Sequence, residues 1–349
     1  MNGFARLFLA VSVTVTVALA SQLTLAQSLS AYEFTVAHDR VFAVGDLHGD
    51  LNSFKLALEA IGLIDSDSNW IGQDSHLVIL GDLIDRGPDS RQLMDFVMKL
   101  ESQALQSAGQ VHTLVGNHEL LVTTGIVDFA HMNDFMSYND FRFGARDRGI
   151  DGFKNAFKGE SVYAKWIRGR PSLVRINDSI FVHAGLESWA KDYSILRLNE
   201  MVKSWFEYYQ GVGPNPPTKT RWVTESHGPL WTRVFADYEK HQGKTLSPSE
   251  LSEILRKWQA KRVVVGHSVV QNLEQALSHP FYKNQVIMLD TDIHSSSRGK
   301  LTITQLKSSG AMTLNQIDRR QPVIIDQYQA KHQQRSQQIS RCETTWSSL

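Results

Sequence analysis

The chain of 349 residues has one cysteine, Cys342. A single thiol closes no intramolecular disulfide, so the core must hold by packing. It also offers no cysteine cluster, so any metal centre must be built from oxygen and imidazole donors. A surplus of charge of one sign is missing too: 36 Lys and Arg residues balance 36 Asp and Glu residues. No long run of one sign interrupts that balance, which leaves no electrostatic footprint for nucleic acid or for an anionic membrane surface. No Gly-rich loop leads into a helix with a Lys-Ser or Lys-Thr pair, which argues against a nucleotide-binding P-loop, and no solenoid period is visible.

Long apolar stretches are confined to the N-terminus. Arg6 is followed by an uncharged segment from Leu7 to Leu29, and Ala18 and Ala20 supply the small-x-small pattern of a signal peptidase site. Thr14, Thr16, Ser21, Gln22 and Thr24 dilute the run as a permanent anchor. The expectation is a signal peptide over residues 1–26, cut after Ala20 or Ala26, and a periplasmic or secreted protein without stable membrane association after cleavage. Residues 27–310 are expected to form one catalytic domain. Residues 311–349, with Val323-Ile324-Ile325 as the last apolar run and a Gln-rich stretch at 333–338, read as a polar tail.

What the chain does have is a series of short apolar runs, each ending in a Gly-flanked polar motif. Val41–Val44 leads to Gly45-Asp46-Leu47-His48-Gly49, and Leu77–Leu80 to Gly81-Asp82-Leu83-Ile84-Asp85-Arg86-Gly87. Val111–Val115 leads to Gly116-Asn117-His118-Glu119, Ile180–Val182 to His183-Ala184-Gly185, and Val263–Val265 to Gly266-His267. Each run reads as a buried strand, and strand ends are where open sheets place their sites. Helix-compatible segments at 50–60, 89–105 and 119–127 alternate with the strands, so the fold class is α/β. The stretch 128–170, rich in aromatic, Gly and Arg residues, breaks this rhythm and reads as an insertion over the site. Gly211–Pro217 must be a loop.

The chemistry fits two metal ions about 3.5–4 Å apart, bridged by one carboxylate. Asp46 and His48 can turn toward one ion, Asp82 is the natural bridge, and Asn117, His183 and His267 complete the second ion's set as neutral ligands. His118 with Asp85 reads as a general acid with its orienting carboxylate, which raises the imidazole pKa toward neutrality. Arg86 offers a bidentate fork for phosphoryl oxygens. The competing reading of Asp85 and Arg86 is an ion pair that stabilises the turn. Asn117 also counts as phosphate-binding, and Arg233 is a further candidate clamp, set against a surface arginine packed on Trp231. Arg142, Arg146 and Arg148 in the insertion are weaker candidates. Asp65-Ser66-Asp67-Ser68-Asn69 begins like a calcium loop, but Trp70 stands where Gly is needed and His76 where a bidentate Glu is needed, so it reads as a polar turn. Asp50 and Glu119 look like helix N-terminal residues whose charge suits the macrodipole.

At these residues the sequence resembles the phosphoprotein phosphatase family of metallophosphoesterases, whose GDxHG, GDxxDRG, GNHE, His-Gly and late Gly-His blocks recur from about Val41 to Asp292. The details of Gly81–Asp89, Phe181–Leu186 and Gly228–Arg233 resemble its bacterial Shewanella-like branch. The resemblance implies a calcineurin-like β-sandwich flanked by helices (αββα). Asp46, His48 and Asp82 would hold one ion, and Asp82, Asn117, His183 and His267 the other, the metals being manganese, iron or zinc. His118 and Asp85 would be the acid pair. The sequence departs from the animal and fungal serine/threonine enzymes at Ala184, where they carry a second glycine, and it lacks their C-terminal toxin-binding motif, which argues against toxin sensitivity.

The expected activity is hydrolysis of phosphomonoesters on proteins or peptides, by direct attack of a metal-bridging hydroxide. A phosphotyrosine preference is expected, with the aromatic segment Phe135–Phe157 stacking on the phenyl ring. The alternatives are a serine/threonine phosphatase, a hydrolase of dinucleoside polyphosphates, and a protein that binds metal or phosphopeptide without turnover.

Overall fold

Val41–Val44 shows how the layers form. Successive side chains of an extended strand point to opposite faces. Val41 and Ala43 enter an apolar layer shared with Val174, Phe181, Val264 and Ile287, while Phe42 and Val44 pack against Phe54, Leu58, Leu93 and Val97. One face of the strand thus meets a second sheet and the other meets helices. The computed structural model describes residues 32–34, 40–142, 149–241, 245–270, 276–292, 301–307, 311–317, 324–330 and 340–341. The expected signal segment, Cys342, Arg146 and Arg148 lie outside them.

The strands are β1 (Glu33–Phe34), β2 (Val41–Val44), β3 (His76–Ile79), β4 (Gln110–Thr113), β5 (Leu173–Ile176), β6 (Ser179–Val182), β7 (Arg262–Val265), β8 (Val286–Met288), β9 (Leu301–Leu306), β10 (Met312–Ile317), β11 (Ile324–Ala330) and β12 (Ser340–Arg341). They form a seven-stranded sheet in the order β12-β11-β10-β9-β2-β3-β4 and a five-stranded sheet in the order β1-β5-β6-β7-β8. β2, β3 and β4 run parallel, as do β6, β7 and β8. Parallel strands need crossovers, and the helices Leu51–Ala60 and Ser90–Gln106 supply them on the outer face of the larger sheet. Asp50 caps the first, accepting from the Ser53 amide at 3.0 Å. The helix Pro248–Lys257 covers the smaller sheet, started by Ser247 and Glu250 in a capping box. The order helix, sheet, sheet, helix is the expected αββα sandwich.

Two expectations need correction. The domain does not stop at residue 310, because β10 pairs with β9 along its whole length. Met312 and Leu314 enter the layer between the sheets, and Ile317 packs on the helix side. The polar residues of β10 (Thr313, Asn315 and Gln316) are themselves buried, which is why the segment reads as polar tail. The aromatic residues of the insertion are the second. This segment is helical at Met132–Ser137, Gly149–Ala156 and Val162–Arg168. Tyr138, Phe153, Phe157 and Tyr163 bury one another at centroid distances of 5.2–6.3 Å. Rings packed together in this way, worth about 0.5–1.5 kcal/mol per pair beyond their burial, are not available to stack on a substrate. The Asp65 turn is the expected polar turn: its carboxylate accepts from the amides of Asp67 and Asn69.

Candidate active site

All the motifs converge at one edge of the sandwich, just beyond the ends of β2, β3, β4, β6 and β7. Ligand atoms of Asp82, His183 and His267 lie within 4.8 Å of one another, as do those of His48, Asp82 and His118. Asp82 belongs to both groups. Its Oδ2 lies 3.8 Å from His48 Nε2 and 3.4 Å from His183 Nε2. Asp46 Oδ2 lies 3.9 Å from His48 Nε2, and Asn117 Oδ1 is 2.9 Å from His183 Nε2. The expected ligands Asp46, His48, Asp82, Asn117, His183 and His267 are therefore brought together, all buried.

The backbone reaches this arrangement at a cost. His48, Asp82, Asp85, Arg86 and His267 all adopt positive φ, between 43° and 68°. For residues other than glycine such conformations cost on the order of 1–3 kcal/mol each, and they persist only where surrounding structure holds them. The holding bonds are present. The Asp82 carbonyl accepts from the amides of Leu47 and His48, and that of Leu83 from Gly49. Glu119 accepts from the amides of Asp82, Leu83 and Gly116 at 2.7–2.9 Å, tying the β3 and β4 loops together. This exceeds the macrodipole role read from the sequence. Glycine at 116 is required by close approach, since a Cβ there would collide with the Asp82 carboxylate.

Each ligand imidazole is oriented by a backbone carbonyl. Carbonyls only accept, so His48 and His183 carry their proton on Nδ1, toward Ile84 and Leu80 at 3.0 and 2.8 Å, and present Nε2 to the cluster. His267 is turned the other way: its Nε2 donates to the Trp231 carbonyl at 3.1 Å, leaving Nδ1 inward. Burial pushes His48 and His267 down to about 3, so both lone pairs are free to bind a cation at neutral pH. Against burial, which favours the neutral acid, His183 and His118 hold the Asp82 carboxylate well below its usual range. His183 is raised to about 10, since the pull of Asp82, Asp46 and Glu119 overcomes its own burial. Positive charge is drawn to this point. Imidazole, carboxylate and amide donors without thiolate, arranged around a shared carboxylate, fit divalent ions of the manganese, iron and zinc type.

His118 differs from the other rings. Its Nδ1 meets Asp85 Oδ2 at 2.7 Å, and its Nε2 lies 3.4 Å from Arg86 Nη2. The guanidinium beside that nitrogen opposes positive charge there, a proton as much as a metal ion. Burial works against its charge, but Asp82 and Asp85 raise its pKa above the ordinary value. Asp85 is thus bonded to His118 and not simply paired with Arg86. Arg86 is exposed at one end of the ligand row. Arg233, also exposed, stands at the other, tethered to the His267 carbonyl and Ser268 Oγ at 3.3 and 3.2 Å. Arg142 is exposed with its stem over Gly152 and is not brought into this group.

The sequence reading missed two neighbours. Asp290, just past β8, is buried, and its charge together with burial raises Asp46; burial lifts Asp290 itself to about 6. Phe129 places its half-exposed ring 5.3 Å from that of His118 at 74°. Neither has flanking glycines or a strand-end motif. The apolar run Val286–Leu289 before Asp290 was the one signal available for it.

The model of the calcineurin-like phosphoesterase family matches residues 39–271. Shewanella-like protein phosphatase 2 of Arabidopsis thaliana is 27% identical over 267 residues, covering 66% of this chain and 66% of its own length. Shewanella-like protein phosphatase 1 of Plasmodium berghei is 32% identical over 233 residues, covering 66% of this chain and 61% of its own. This chain therefore spans about two thirds or less of those relatives. Among solved structures, a cold-active protein-tyrosine phosphatase of a psychrophilic Shewanella species superposes with a TM-score of 0.65 at 23% identity, covering 82% of this chain and 80% of the other.

Proposed function

The chain belongs to the calcineurin-like phosphoesterase family, and on that premise we propose that it is a metal-dependent phosphatase of phosphorylated proteins or peptides, with a preference for phosphotyrosine. The observation that carries the hydrolase reading is the convergence of Asp46, His48, Asp82, Asn117, His183 and His267 with an acid pair and two exposed arginines. Asp46, His48 and Asp82 would hold one ion, and Asp82, Asn117, His183 and His267 a second. Bound there, the ions supply Lewis acidity and an acidified water for in-line hydrolysis.

The remaining steps belong to the chain's own groups. Arg86 beside His118 and Arg233 beside His267 bind the phosphoryl oxygens and hold the ester in line, and the Asn117 amide would add a donor. His118 would give a proton from Nε2 to the departing oxygen once Arg86, which faces that nitrogen in the structure, has turned to the phosphoryl group, while Asp85 fixes the ring through Nδ1. The raised His118 pKa keeps that proton in place near neutral pH.

Tyrosine preference is supported by Phe129, whose exposed ring beside His118 can pack edge-to-face on a leaving phenol. The buried insertion rings do not serve this purpose. The Shewanella structure described as a protein-tyrosine phosphatase agrees in fold. Export, expected from residues 1–26, remains part of the proposal, and N-terminal sequencing of the mature protein tests it.

The deciding experiment compares manganese-loaded protein on phosphotyrosine, phosphoserine and phosphothreonine peptides and on a dinucleoside polyphosphate. A tyrosine-peptide rate far above the others is expected. Preference for the nucleotide would replace the substrate class, and silence on all four would return the chain to a binding role.

A further inference from the structure

The turn that carries both the acid's partner and the phosphate clamp is gripped from an unexpected place. Asp85 and Arg86 are consecutive residues at φ 68° and 65°. Apart from the short Gly87 amide bond to the Asp85 carbonyl, the turn's own amides look outward for partners. The Arg86 amide donates to the carbonyl of Phe129 at 2.7 Å. The Asp85 amide donates to Ser90 Oγ at 3.2 Å, and Ser90 Oγ in turn donates to Asp134 Oδ2 at 2.9 Å. Ser90 and Asp134 are completely buried. Both Phe129 and Asp134 belong to the segment that follows the helix Asn117–Thr124, which begins at the site with His118 and ends at Gly125, φ 90°. One stretch of chain therefore presents the acid, reverses, and returns to hold the two residues with which that acid works.

We propose that Asp134 and Ser90 are positioning residues for the reaction: the buried Asp134–Ser90 pair holds the Asp85 backbone in its left-handed conformation, so that the Asp85 carboxylate meets His118 Nδ1. The inference rests on the phosphatase reading above. It gives the first part of the insertion a task at the site that the packed aromatic residues behind it do not have. A buried carboxylate is costly unless its bonds are worth more elsewhere. Burial pushes Asp134 up to about 7, with the Ser90 hydroxyl bond opposing that rise. An apolar residue would be cheaper if the position served packing alone. An oxygen is required at this point because a hydroxyl that accepts from Asp85 must donate its own proton somewhere.

The test uses leaving groups. Full-length protein loaded with manganese, and its Asp134→Ala, Asp134→Asn and Ser90→Ala variants, are assayed on p-nitrophenyl phosphate, whose phenolate departs without a proton, and on a phosphoserine peptide, whose alkoxide does not. Misplaced Asp85 weakens His118 as an acid, a function that typically contributes about 10²–10⁴-fold. Asp134→Ala and Ser90→Ala are expected to lose at least about 10-fold more kcat on the phosphoserine peptide than on the nitrophenyl ester, with metal content unchanged. Asp134→Asn keeps an oxygen for the Ser90 proton and is expected to restore most of the difference. Equal losses on both substrates, or wild-type rates in both Ala variants, would overturn the proposal. Ser90→Ala, which favours the first turn of a helix, keeps the test alive if Asp134→Ala does not fold. Wild-type protein inactive on both substrates would overturn the phosphatase reading itself, an outcome distinct from either.

Discussion

Two groups of histidines, one within the larger sheet and one beyond the strand ends of both sheets, differ in kind. His76 on β3 and His112 on β4 meet Nδ1 to Nε2 at 2.8 Å, stack at 5.0 Å, and lie under Phe34, 4.5 Å from the His112 ring. Burial, with the neighbouring His76, pushes His112 down to about 3. Both residues sit in regular strand backbone. Beyond the strand ends, His48, His118 and His183 are interleaved with Asp46, Asp82 and Asp85, and His48 and His267 occupy strained backbone. Burial alone makes a histidine neutral and inert. A shared carboxylate and an orienting carbonyl turn the same side chain into a place for a cation or a proton.

The largest effect is expected at the shared carboxylate. Asp82→Ala removes the carboxylate common to both ligand groups, and we expect turnover to fall on the order of 10³-fold or more, with metal lost, measured as kcat and bound metal together. His118→Asn should lose about 10²–10⁴-fold on a phosphoserine peptide and much less on p-nitrophenyl phosphate; equal losses would remove it from the acid role. Arg86→Lys keeps the charge but not the fork, and kcat/KM should fall about 10–100-fold while bound metal stays constant.

The smallest effect belongs to the other histidine group. His112→Phe should leave kcat and metal content unchanged and alter only the pH dependence of stability. The sign follows from linkage. His112 titrates at about 3 in the fold and near 6.5 when unfolded, so between those values the unfolded state binds more protons. The stability from keeping this ring neutral is fully present above pH 6.5 and is lost as pH falls toward 3. Denaturant unfolding of the wild type should therefore weaken faster than that of His112→Phe on going from pH 7 to pH 5, by up to about 1.4 kcal/mol per pH unit.

The same contrast explains what the sequence discloses. The strands before Gly45, Gly81, Gly116, His183 and Gly266 are legible because an apolar run followed by glycine and a ligand has few other uses, and the parallel order of β2, β3 and β4 follows from the helices between them. The strands β9 and β10 are harder to read, since their buried Thr302, Thr304 and Asn315 look like surface. Asp134 and Phe129 are illegible for another reason. Their roles come from a chain reversal that returns them to Asp85 and Arg86, and no local spacing encodes a contact of that kind. Glu119 is half legible: its place at a helix start can be read, but not that its carboxylate takes amides from two loops.

The proposed function requires that these strand ends form one bridged site for two ions. Metal analysis of wild-type protein and of Asp82→Asn, after equilibration with manganese and removal of free ion, tests it without reference to any substrate. Close to two ions per wild-type chain, and loss of at least one from Asp82→Asn, are expected. Wild-type protein that retains no metal, or an Asp82→Asn variant that retains as much as the wild type, would contradict it.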